Sequence, residues 1–432
     1  MSIKTRDDDL VKDLTLRKKK TRFCKRPGSV KAYVKIDDVY HIPMAYAISR
    51  GLKVKRTKHK KIEIESNITL RDHQKSIYKK CILALQDTNT YFIQGHCSIG
   101  KTIMALHSIA LIKRLTLIVV HDYNLLAQWA NTIHEHLKGA KIYVMGKSHN
   151  YCVKELEIND EILVKTFDDA NIILTLPTAI GKLEYDEIKL IGYVICDEIK
   201  VLCTEKTVQK ILLTTPRYLL GLSADYERKD GMHVIIDKIF GRNKHYEISN
   251  KPFEVVKVIT PFTPFVKDTS DWTSVIESLA KNEDRNKTIC KMILEEYEEG
   301  DKILIICHRT FHVEIIENML KDFIKVETLY KDKKGYKNCN ILCGTNKKLG
   351  RGFDGKNSCK EGYDGIPFNK LYYLAEENDV EQPAGRVFRS EKPVIYDFVD
   401  DMKAFREHWE NRQKWYISRN GKISEKYIRM MI

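Results

Sequence analysis

What this chain has little of narrows it first. No uninterrupted apolar run approaches the roughly 20 residues that cross a bilayer, so no membrane-spanning helix is expected. Met1 to Leu10 is charged and holds no apolar core, which argues against a secretory signal and for an intracellular setting. Proline (10) and glycine (21) are sparse, and no internal repeat or low-complexity segment stands out. The 11 cysteines are scattered, with no C-x-x-C pair. Cys339 and Cys343 come nearest, in what reads as a loop and a strand, so reduced thiols are expected rather than a metal site.

What is present is ordinary for a globular protein: 43 % hydrophobic and 31 % charged residues in 432, enough for about two or three domains. The formal charge of +15 is unevenly placed. Residues 1–69 hold 19 Lys and Arg against 8 Asp and Glu, whereas the remaining residues hold 55 against 51. The excess sits in two runs, Arg17 to Arg26 and Lys53 to Lys61. Such runs attract phosphate backbones without reading sequence, although a solvated arm or a nuclear address would look the same.

Between the basic runs, Ala32 to Ile36 alternates like a strand, giving a short β-rich lead-in. From Leu70 onward, apolar strands alternate with helical segments: Tyr91–Ile93, Leu115–Val120, Asn171–Thr175, Tyr193–Cys196 and Tyr218–Ser223. That alternation implies a parallel sheet covered by helices. The strand-like stretch Phe253–Thr260 and its flanking loop separate this block from a second one. There a helical stretch, Val275–Tyr297, precedes strands at Lys302–Cys307, Lys325–Tyr330, Asn340–Cys343, Lys370–Leu374 and Val394–Phe398. Two stacked α/β domains are expected in preference to a single sheet of about ten strands.

The chemistry centres on Gly95-His96-Cys97-Ser98-Ile99-Gly100-Lys101-Thr102, a G-x-x-x-x-G-K-[ST] run between a strand and a helix. Glycines let successive N–H groups curl inward around phosphates, beside the positive end of the following helix. Lys101 would reach the β/γ-phosphates, and the Thr102 hydroxyl would hold Mg²⁺. Tyr193 to Cys196 then delivers two adjacent carboxylates. Asp197 would reach the metal, and Glu198 would polarise the attacking water.

In order along the chain, these segments resemble the motifs of superfamily 2 helicases, over roughly residues 70–400. Leu70-Arg71-Asp72-His73-Gln74 resembles the L-R-x-x-Q segment whose glutamine, here Gln74, reads adenine. Val119 to Trp129 resembles motif Ia, Ile173 to Pro177 motif Ib, and Asp197-Glu198 motif II. Gly221-Leu222-Ser223-Ala224, with Glu227 to Gly231, resembles motif III of the XPB-like branch. Asp284-Arg285-Asn286 and Ile303 to Arg309 match the R-N helix and motif IV. Gly344-Thr345 with Gly350 to Asp354 resembles motif V, and Glu381-Gln382-Pro383-Ala384-Gly385-Arg386-Val387-Phe388-Arg389 motif VI. The compact length and the Lys, Ile and Asn richness are similar to helicases of large cytoplasmic DNA viruses, including the poxvirus transcript-release type.

The resemblance implies an α/β protein of two tandem RecA-like domains with parallel sheets, residues 70–245 and 246–432, after a basic N-terminal region, 1–69. It implies ATP and Mg²⁺ as cofactors and an ATP-dependent helicase or translocase as the activity. Nucleic acid would be gripped mainly by its backbone, DNA ahead of RNA, with transcription or replication machinery as partners, no membrane, and oligomeric state left open. A translocase that strips partners without unwinding is the alternative; a scaffold with a degenerate ATPase ranks last. Arg386 and Arg389, three residues apart, are expected on one helix face, where either could neutralise γ-phosphate charge. Tyr123 and Trp129 could stack on bases, with core packing preferred for Trp129. Two positions depart from the family: Lys200 stands where His or Asp is usual, and Asp225 where Thr is. Their opposite charges suggest a compensating ion pair.

Overall fold

A computed structural model describes every residue except 1, 21–27, 54–58, 97–98, 225, 229, 242–243, 248–250, 351–352, 378–379 and 429–432. The chain divides into two compact units, Met1–Glu247 and Ile248–Ile432.

The first unit begins with short strands β1 (Ser2–Thr5), β2 (Thr15–Arg17), β3 (Ser29–Lys31), β4 (Val34–Ile36) and β5 (Val39–Pro43). Strands β1, β5 and β4 form an antiparallel sheet, and β2 pairs with β3 as a hairpin. The stretch expected as one strand, Ala32 to Ile36, is therefore split, with only Val34–Ile36 in the sheet. This lead-in is not a detached arm. Leu14, Val30, Ala32 and Ile42 are buried in the same apolar cluster as Phe92 and Ile93 of the main sheet.

That main sheet comprises β6 (Thr90–Gly95), β7 (Thr116–Val119), β8 (Ile142–Val144), β9 (Ile172–Thr175), β10 (Tyr193–Cys196), β11 (Tyr218–Ser223) and β12 (Lys244–Glu247). The order is β8-β9-β7-β10-β11-β6-β12, and every pairing is parallel. Its inner strands are buried along their whole length and mostly apolar, because a parallel sheet is covered on both faces. Helices α1 (Asp72–Thr88), α2 (Lys101–Ile112) and α3 (Tyr123–His136) belong to this unit, each with a buried apolar stripe.

In the second unit, β13 (Phe253–Ile259), β14 (Ile303–Cys307), β15 (Val326–Leu329), β16 (Ile341–Thr345), β17 (Lys370–Tyr373), β18 (Val394–Val399) and β19 (Gly421–Tyr427) form a second parallel sheet. The order is β15-β16-β14-β17-β18-β13-β19. Phe253–Ile259, which the sequence marks as a separating stretch, lies inside this sheet between β18 and β19. The helical stretch expected over Val275–Tyr297 is two helices, α4 (Trp272–Lys281) and α5 (Glu283–Glu295). Asn282 breaks it, because its side chain accepts from Arg285 N at 2.9 Å and starts a new helix.

Two bidentate ion pairs lie in the interior of the second unit. Arg285 of α5 grips Asp400, just past β18, at 2.9 and 2.7 Å. Arg412 of α6 (Lys403–Ser418) grips Asp397 within β18 at 2.8 and 2.7 Å. All four side chains are buried, and matched geometry of this kind is what makes burial of charge tolerable. Eight of the nine described cysteines are buried and all nine are free, in keeping with reduced thiols.

Candidate nucleotide site

In the first unit β7, β10, β11 and β6 lie side by side, so the loops leaving their carboxyl ends share one edge of the sheet. The loop from β6 to α2 is closed by Gly100, whose φ of +84° favours glycine. A Cβ there would also stand 2.1 Å from Gln74 Nε2. Gln74 is buried against the loop, donating from Nε2 to Ile99 O at 3.0 Å and accepting from Arg71 N at 2.9 Å. Lys101 Nζ donates to the carbonyls of Gly95 (2.7 Å) and His96 (3.2 Å), so the cation lies folded over the loop. Thr102 is half-buried in the first turn of α2. Cys97 and Ser98, expected to cradle phosphate, lie outside the described residues.

Two strands away, β10 delivers Asp197 and Glu198. Asp197 is buried; its Oδ2 accepts from Trp129 Nε1 at 2.8 Å and its Oδ1 from Glu198 N at 2.9 Å. Burial, and then the charge of Glu198, push its carboxyl up to about 6. Glu198 occupies the left-handed region, φ 48° and ψ 48°, a conformation that costs a side-chain-bearing residue about 1–3 kcal/mol. Its Oε2 accepts from Ser223 Oγ at 3.3 Å, joining the end of β10 to the end of β11. Beyond Ser223, Arg228 clamps Asp230 at 2.9 and 2.8 Å and donates to Lys200 O at 2.7 Å. The ion pair expected between Lys200 and Asp225 cannot be placed, since Asp225 lies outside the described residues.

In the second unit, the expected helix face for Arg386 and Arg389 is not what forms. The helix is only Glu381–Ala384, and the following residues are turns. Pro383 and Gly385 explain the early stop, because neither propagates an α-helix. Tight turns follow instead, with Arg386 N on Pro383 O (3.1 Å) and Val387 N on Ala384 O (3.1 Å). Residues three apart eclipse in such turns, so both arginines still reach the segment after β16. Arg386 Nε donates to Gly350 O at 3.0 Å, and Arg389 pairs with Asp354. Burial works against the Asp354 charge, but Arg389 outweighs it and holds the carboxyl below its usual value.

The chain is similar to several known proteins. The family described as "Type III restriction enzyme, res subunit" matches residues 67–228. Protein 161L of Invertebrate iridescent virus 6, named as a helicase, is 29 % identical over 92 % of this chain and 92 % of its own. Protein 109L of Invertebrate iridescent virus 3, also named as a helicase, is 32 % identical over 45 % of this chain and 57 % of its own. L396 of Acanthamoeba polyphaga mimivirus, named as an ATP-dependent RNA helicase, is 25 % identical over 83 % of this chain and 70 % of its own. Residues 67–228 thus carry that res-subunit helicase domain, and helicase-named viral proteins are homologues over most of the chain. Its two parallel seven-stranded sheets are consistent with the expected tandem RecA-like domains. These relatives support an ATP-hydrolysing helicase or translocase as the activity.

Within the first unit, one sheet edge carries Lys101 after β6 and Asp197 and Glu198 after β10, with β11 between them. Sequence reasoning named Trp129 only as a base-stacking or core residue. It is buried, and its indole N–H holds Asp197, a partner 68 positions away. No local signal could have paired them. Tyr123 is half-buried and carries Lys147 Nζ over its ring at 4.6 Å. Among the described residues no three His, Cys, Asp or Glu side chains converge as a metal cage. Mg²⁺ bound partly through nucleotide phosphates does not need one, and a buried carboxylate, Asp197, and a threonine hydroxyl, Thr102, are oxygen donors of the kind that ion takes. No helix among the described residues is long and apolar enough to cross a membrane.

Proposed function

We propose that the loop Gly95 to Thr102 holds ATP, with Gln74 on the adenine side and Lys101 turning from its carbonyls to the β/γ-phosphates. Thr102 and Asp197 would hold Mg²⁺, which supplies neutralisation of charge building on the phosphates. Glu198 would orient and polarise the attacking water, and Ser223 would sense its position. Arg386 and Arg389, from the domain proposed over residues 246–432, would stabilise γ-phosphate charge once ATP is bound. The observation that carries this reading is Asp197: a buried carboxylate, fixed by two donors and raised in pKa by burial, one strand-end array from Lys101.

Trp129→Phe tests that assignment. Removing an outer-shell hydrogen bond to a metal ligand costs about 10–100-fold in metal affinity. The Mg²⁺ concentration giving half-maximal ATPase should rise by about that factor. A fall in melting temperature with no change in the Mg²⁺ requirement would reduce Trp129 to a packing residue.

DNA is the proposed substrate ahead of RNA, with contacts mainly to the backbone, and the context is transcription or replication. The XPB-like motif III supports DNA, whereas the name of the relative L396 favours RNA. ATPase rates with single-stranded DNA, duplex DNA and RNA, each at two salt concentrations, decide. Larger stimulation by DNA is expected, and stimulation by RNA alone would overturn the DNA reading. Strand-displacement assays then separate unwinding from translocation that only strips bound partners.

A further inference from the structure

The basic run at the end of β2 has an unusual mounting. Arg17, Lys18, Lys19 and Lys20 are consecutive and exposed. Among the described residues, no carboxylate closes an ion pair with any of them. Adjacent like charges repel, and the Asp230 carboxylate, held low first by Arg228 and also by Lys18, offsets part of that repulsion. The backbone supplies the hold: Lys18 N donates to Gly28 O at 3.2 Å across the hairpin, and Lys19 N to Asp230 O at 2.9 Å. Gly231 completes the seat. Its φ is +76°, and a Cβ there would meet Lys19 Cγ at 2.8 Å, so the lysine stem lies where a side chain would be.

The receiving loop is the one that follows Ser223. Asp230, which accepts from Lys19, is clamped by Arg228, and Arg228 also holds Lys200 O, two residues past Glu198. Ser223, where the loop begins, donates to Glu198 itself. The basic segment is thus tied through the motif III loop to both sides of the hydrolytic carboxylate.

We infer that Arg17 to Lys20 is a contact surface for the nucleic-acid phosphate backbone, mounted on the motif III loop so that strand binding is felt at Glu198. This rests on the proposed role of Glu198 and on DNA as substrate. Phosphate contacts from such a ladder fix position without reading bases.

The experiment uses the full chain carrying Lys18→Gln, Lys19→Gln and Lys20→Gln together, binding a labelled random-sequence DNA duplex over a series of salt concentrations. Each lost phosphate contact makes the slope of log K against log salt less negative by about 0.9, so a change of about 2–3 is expected. The DNA concentration for half-maximal ATPase should rise on the order of tenfold at moderate salt. The triple Lys→Arg variant keeps the charge and should keep the parental slope. An unchanged slope in the glutamine variant, or the same loss in the arginine variant, would overturn the inference. Lys101→Ala separates the two readings: it should stop turnover yet bind duplex with the parental slope.

Discussion

Lys101→Ala should abolish ATP turnover, with kcat falling on the order of 10³-fold or more, the scale of a cation acting on transferring phosphate. The side chain is already poised, its Nζ on the carbonyls of Gly95 and His96. Because Lys101 is only half-buried, alanine leaves carbonyls that water can reach, and the melting temperature should stay near the parental value. Protection by ATP against thermal unfolding should shrink along with turnover. Phosphate release in the presence of DNA, with a parallel melting curve, reads both. Turnover within about tenfold of the parent would remove Lys101 from the site.

Glu198→Gln separates binding from hydrolysis. Glutamine preserves the shape and the bond from Ser223 while removing the charge that polarises water, so kcat should fall by about 10²–10⁴-fold. ATP should still bind, and filter binding should find it retained unhydrolysed. The left-handed backbone at Glu198 suits Gln no worse than Glu, so stability is expected to hold. Normal turnover would refute the water-polarising role. Retention of ATP by this variant and its loss by Lys101→Ala together distinguish the two residues.

How much of this was legible depended on distance along the chain. The inner strands, such as Tyr193–Cys196 and Tyr218–Ser223, were found with their bounds, because a strand buried on both faces must be apolar throughout. The edge strands β8, β12 and β19 were missed. Lys244–Glu247 and Gly421–Tyr427 are charged and polar, as exposed edges need to be, and so read as loop. Arg386 and Arg389 were expected on one helix face, but Pro383 and Gly385 stop that helix after Ala384.

By itself the sequence determined the glycine-bounded loop between strand and helix, the paired carboxylates after an apolar strand, and the order of motifs, all of which are local patterns of residue type and spacing. Only the tertiary structure decided that Trp129 steadies Asp197, that Ser223 meets Glu198, and that the basic segment at Lys19 docks on Asp230. Each joins residues far apart in sequence, and such contacts arise from how strands are ordered in the sheet, which no short window of residues encodes.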